Sequence, residues 1–115
     1  MLRLNHVSLT VTDRDRSAAF YRRYFGLGAP VHDDDHLLIL PHPSGGYLAF
    51  VEGPPPTEQP RGTHFGFQAD TPEDVLALRQ RFADDGIPEA EFQDHAPTRV
   101  QVFDPDGYRV EAYAI

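Results

Sequence analysis

The chain repeats itself once. His6, Gly26 and Gly46 answer to His64, Gly86 and Gly107, at offsets of 58, 60 and 61 residues. Each half reads as a strand, a helix and further strands. The offset is not that of a known solenoid repeat, so it marks a duplicated β-α-β-β-β module. The expected fold class is α+β: two βαβββ modules in tandem forming a curved, cup-shaped mixed sheet, with helices on its outer face. The expected boundaries within the single domain 1–115 are module 1 at 1–53, a linker at 54–61 and module 2 at 62–115.

Local signals fit that plan. Leu4 to Val11 alternates with period two. Asp13 caps a helix running to about Phe25, with Phe20, Tyr21, Tyr24 and Phe25 as its apolar stripe and Gly26 as its stop. Pro30 to Leu40 is a strand candidate broken by a hairpin turn at His32–His36. Pro41 to Gly46 is turn-rich, Tyr47 to Glu52 is a strand, and Gly53 to Pro60 is a stiff linker. The pattern restarts with a strand at Thr63–Gln68. Thr71-Pro72 opens a helix with the stripe Val75, Leu78 and Phe82, stopped at Gly86. A short strand is expected at Ala90–Phe92, and longer ones at Thr98–Phe103 and Tyr108–Tyr113. The Asp104-Pro105-Asp106-Gly107 turn joins the last two.

Composition removes whole classes of function. With no cysteine, there is no disulfide and no thiolate. All ten basic residues are Arg, so no lysine Schiff base forms. A formal charge of -8 argues against nucleic acid or an anionic membrane as partner and is compatible with a cationic ligand. No apolar run of about 18 residues and no signal-type segment is seen, so a soluble, cytoplasmic protein is expected.

Strand parity carries the functional argument. One face is expected to bury Val7/Leu9/Val11, Ala49/Val51, Phe65/Phe67, Val100/Val102 and Val110/Ala112 against the helices. The other would then carry His6/Ser8/Thr10, Leu48/Phe50/Glu52, His64/Gly66/Gln68, Arg99/Gln101/Phe103 and Arg109/Glu111/Tyr113. His6, His64 and Glu111 together offer two imidazoles and a carboxylate, a set that leaves open positions on a divalent metal. Taken singly, each His also reads as an ordinary hydrogen-bonded strand residue.

Asn5-His6-Val7, Phe20-Tyr21, Phe25-Gly26-Leu27, Thr63-His64-Phe65-Gly66-Phe67 and Asp104-Pro105-Asp106-Gly107-Tyr108-Arg109-Val110-Glu111 together resemble the vicinal oxygen chelate superfamily. That group includes glyoxalase I, extradiol dioxygenases, fosfomycin-resistance enzymes, methylmalonyl-CoA epimerases and bleomycin-resistance proteins. The resemblance covers essentially the whole chain. It implies a cup around a divalent metal (Fe, Mn, Zn, Ni or Co) that chelates neighbouring oxygens of a small-molecule substrate, in a homodimer. By position, His6, His64 and Glu111 match three of the family's ligand sites. Glu52 is either a fourth ligand, a catalytic base or a rim carboxylate. The region 91–97 lacks the basic, Ser-rich loop of the fosfomycin enzymes, which argues against that activity.

The implied reaction is that of a lyase, isomerase or dioxygenase. Arg99 and Gln101 would hold a substrate carboxylate or carbonyl, or Arg99 pairs across strands. Tyr113 would donate a hydrogen bond or simply pack. Phe50 and Phe103 would wall the cup or belong to the core. The competing reading is a metal-free protein that sequesters a small molecule, as bleomycin-resistance proteins do.

Overall fold

The computed structural model describes all 115 residues and divides into two compact units, Met1–Pro56 and Thr57–Ile115. In the first unit β1 (His6–Val11) leads into α1 (Arg14–Phe25), followed by β2 (His32–Asp33), β3 (Leu38–Pro41) and β4 (Tyr47–Glu52). The sheet order is β1-β4-β3-β2. In the second unit β5 (Phe65–Gln68), α2 (Pro72–Asp84), β6 (Glu89–Asp94), β7 (Thr98–Phe103) and β8 (Arg109–Ala114) repeat the plan, in the order β5-β8-β7-β6. Each sheet is mixed: its first and last strands run parallel, and the rest pair antiparallel.

The helices start and stop where side-chain chemistry directs. Asp13 accepts from the backbone N–H groups of Asp15 and Arg16, and α1 ends at Gly26 with φ of 75°. Thr71 caps α2 through the Asp74 N–H, with proline in its first turn. His42 adds an unanticipated tie: its Nε2 lies 3.0 Å from the Phe25 carbonyl at the end of α1.

In the first unit α1 covers one sheet face, where Tyr21 stacks on Phe50 at 5.7 Å between ring centroids. Leu9, Val11, Leu38, Leu40 and Leu48 are buried with them. In the second unit Val75 and Phe82 of α2 are buried along with Val100, Val102, Val110 and Ala112. The expected parity of β5, β7 and β8 holds.

The parity expected for β4 does not. β4 pairs parallel with β1 in the register Val7↔Leu48 and Leu9↔Phe50. Directly opposed residues share a face, so Leu48, Phe50 and Glu52 lie on the helix side with Val7, Leu9 and Val11. Phe50 is fully buried core and not a wall of an open face. Tyr47, Ala49 and Val51 take the side that carries His6 and Ser8.

The turn before β8 is built on Asp104. Its Oδ1 accepts from the Asp106 and Tyr108 N–H groups at 2.9 and 3.0 Å. Gly107 completes the turn at φ of 87°.

Candidate functional site

On the open face of the second sheet, register alignment sets Gly66, Glu111, Gln101 and Glu91 in one row across four strands. A second row runs Gln68, Tyr113, Arg99 and Gln93. Phe103 and Arg109 oppose each other in a third, with His64 just ahead of β5. Gly66 keeps the first row tight: a Cβ there would stand 3.1 Å from the Glu111 carbonyl oxygen and 3.4 Å from the Glu111 Cβ.

The Glu111 carboxylate is divided between two neighbours. Arg99 Nη1 donates to Oε1 at 3.0 Å, while Oε2 faces His64 Nε2 at 3.8 Å. Arg99 also donates through Nη2 to Glu91 Oε1 at 3.2 Å. Arg61 grips Glu91 with Nε and Nη2, both at 3.2 Å. These hydrogen bonds from Arg61 and Arg99 lower the Glu91 pKa from 4.5 to about 2. Arg109 Nη1 donates to Gln101 Oε1 at 3.1 Å, and its guanidinium lies 5.0 Å from the Phe103 ring centroid. An open concavity of about 450 Å³ is lined by Arg61, His64, Glu91, Arg99, Gln101 and Glu111.

The predicted residues of the second module therefore fall on one face. His64, Glu111, Arg99 and Gln101 line one concavity, and Tyr113 and Phe103 lie in the flanking rows. Three participants escaped the sequence reading. Arg61 sits in what reads as linker. Glu91 lies within the strand expected at Ala90–Phe92, and the pairing of β6 with β7, shifted by a bulge between Glu89 and Glu91, sets it opposite Gln101. Arg109 was visible on the face, but its hold on Gln101 was not.

In the first unit His6 is exposed, with Nδ1 3.1 Å from Asn5 Oδ1. Glu52 is not on its face. It lies at the helix side, with Oε1 3.8 Å from Arg14 Nε and 3.5 Å from the Arg14 backbone N, at the start of α1. The register also identifies the first-module counterpart of Glu111. Ser8 opposes Ala49 as Gly66 opposes Glu111, so alanine stands where the second module has its acid. Glu52 thus leaves the face that carries His6, on which the expected strand parity set it.

His64 and Glu111 suit a divalent ion. The His64 Nε2 and the Glu111 Oε2 stand 3.8 Å apart, donors of the kind such an ion takes. Arg99 on the other carboxylate oxygen is the kind of outer partner that orients a ligand. Within neither unit do three His, Asp or Glu side chains gather closely enough to hold an ion among them.

The model of the Glyoxalase/Bleomycin resistance protein/Dioxygenase superfamily matches residues 3–112. The chain belongs to that superfamily. A search of curated proteins finds no match. Among solved structures, a possible glyoxalase from Bacillus cereus is 25% identical, with a TM-score of 0.82 over 97% of this chain and 98% of that one. Lactoylglutathione lyase from Agrobacterium tumefaciens is 23% identical, with a TM-score of 0.75 over 97% and 92%. The fosfomycin resistance protein FosX from Listeria monocytogenes, complexed with Mn(II) and sulfate, shares 19% identity and a TM-score of 0.85 over 100% and 93%. The last two likenesses are of fold alone. No helix is long and apolar enough to cross a membrane.

Proposed function

We propose that this superfamily member is a divalent-metal-dependent enzyme acting on a small molecule with vicinal oxygens, as a lyase, isomerase or dioxygenase. His6, His64 and Glu111 are the proposed protein ligands. The observation that carries the reading is the division of the Glu111 carboxylate, one oxygen held by Arg99 and the other turned to His64. The Mn(II) bound by the FosX neighbour agrees with an oxygen- and nitrogen-donor site of this kind.

When bound, the ion supplies Lewis-acid polarisation of a substrate oxygen. The remaining work falls to this chain's side chains. Arg99 fixes the Glu111 carboxylate and adds positive charge beside the concavity, where negative charge on a substrate is stabilised. Gln101 and Arg61 border the same space and orient the substrate.

The resemblance also implies a homodimer, in which the ligand set is completed within one chain or by His6 of the partner subunit. Mixing His6→Ala and His64→Ala chains separates these cases. A shared site regains metal in the mixed dimer, because one of its two sites then has all ligands; an intrachain site does not.

Metal-free sequestration is the alternative, and one observation favours it: Arg99 already neutralises Glu111 without an ion. Calorimetric titration of chelator-treated protein with Mn(II), Ni(II), Co(II) and Zn(II) tests the choice. Saturable binding that weakens in Glu111→Gln supports the enzyme, and no binding of any of the four supports sequestration.

A further inference from the structure

Gln101 is 1% exposed, on the central row of the second sheet. Its Oε1 accepts from Arg109, but its Nε2 has no hydrogen-bond partner in the protein. A buried amide N–H left unpaired loses its hydration without compensation. The amide is not free to turn over and relieve this. A flip would set Nε2 against the Arg109 Nη1 donor now 3.1 Å from Oε1, placing donor against donor. Arg109 is itself held, over the Phe103 ring and 3.7 Å from Glu91 Oε2.

The surroundings define what the orphan donor meets. Three guanidinium groups, Arg61, Arg99 and Arg109, stand among two carboxylates, Glu91 and Glu111. That face carries a formal charge of +1 on a chain of net charge -8. Guanidinium groups donate and never accept, and so does the free end of Gln101. An acidic protein that collects donors and positive charge around one concavity is suited there to an anionic organic ligand, whatever cationic ligand its overall charge accommodates elsewhere.

We propose that the Gln101 amide donates to an acceptor oxygen of a small anionic ligand, such as a carboxylate, and that Arg109 is the positioning residue that keeps the donor end of the amide turned toward it. This deepens the proposed function and rests on it for the site, since it names the charge and hydrogen-bonding class of the substrate. The recognition itself needs only side chains of the second unit. It gives the site a selectivity rule: an oxygen that accepts is favoured, and a group that can only donate is rejected because it leaves Nε2 unpaired.

Oxalate is a suitable probe, because it carries only acceptor oxygens at neutral pH. The experiment is titration of the full chain with oxalate, with and without Zn(II), followed through the Gln101 side-chain NH₂ resonances in ¹H–¹⁵N spectra. The expected result is a saturable downfield movement of those resonances under both conditions. Gln101→Glu, nearly equal in shape, is expected to weaken oxalate about tenfold to a hundredfold. Arg109→Leu is expected to abolish the movement, and Arg109→Lys, which keeps a donor on Oε1, to restore part of it. A role in folding alone would not produce that rescue.

No oxalate binding to the wild-type chain overturns the proposal. So do equal affinities in wild type and Gln101→Glu, or saturation without movement of the NH₂ signals, as a bound water alone would give. Failure of the metal reading is visible separately, as absence of Zn(II) uptake while the oxalate response persists.

Discussion

Arg99 lies opposite Tyr113 in register, yet its guanidinium reaches along the sheet to Glu111 and holds Oε1 at 3.0 Å. The second carboxylate oxygen is left facing His64 at 3.8 Å. This makes Glu111 the pivot of the site, a carboxylate positioned on one side and available on the other.

Glu111→Gln removes the anionic donor while keeping shape and the Arg99 contact. Metal affinity is expected to fall by more than the roughly 10–100-fold that loss of an outer partner costs. Far-UV circular dichroism is expected to stay unchanged. Titration with Mn(II) measures the first, and retention of wild-type affinity would remove Glu111 from the ligand set.

Glu52→Gln has the opposite expectation. The carboxylate is exposed and paired loosely with Arg14 on the helix side. Stability is expected to change by no more than about 1 kcal/mol, as for other exposed pairs, and metal content not at all. A loss of bound metal in this variant would restore Glu52 to the site and contradict the β4 register.

Phe50→Ala tests the same register from the other direction. A wall residue would tolerate truncation, whereas a fully buried ring stacked on Tyr21 would not. The expected cost is about 3–5 kcal/mol, read by urea denaturation.

Glu91 supplies a pH dependence whose sign is fixed. Its pKa is lowered from 4.5 to about 2 by Arg61 first and Arg99 next, so the folded state binds its proton less readily than the unfolded chain. Its stabilising contribution is complete above about pH 4.5 and is lost as pH falls toward 2. Solvent screening keeps that contribution small for a pair reaching the surface. Glu91→Gln is expected to flatten the stability curve in that window, and equal acid sensitivity in both proteins would contradict it.

Much of this was legible before any coordinates. The caps at Asp13 and Thr71, the stops at Gly26 and Gly86 and the turn ending in Gly107 are local signals that the chain carries within a few residues. The parity of β5, β7 and β8 was readable because each has one clearly apolar face. β4 defeated the same reasoning. Leu48, Ala49, Phe50 and Val51 are all apolar, so period two does not choose a face, and only the pairing with β1 does. Arg61, Glu91 and Arg109 were not assigned roles because ion pairs between distant segments leave no sequence spacing to read.

The most direct test of the metal-dependent reading is elemental analysis of gently purified protein beside its His64→Ala variant. Near-stoichiometric Fe, Mn, Co, Ni or Zn is expected in the wild type, and its loss in the variant. No metal in either protein, even after reconstitution, would contradict it and leave a ligand-binding face without metal chemistry.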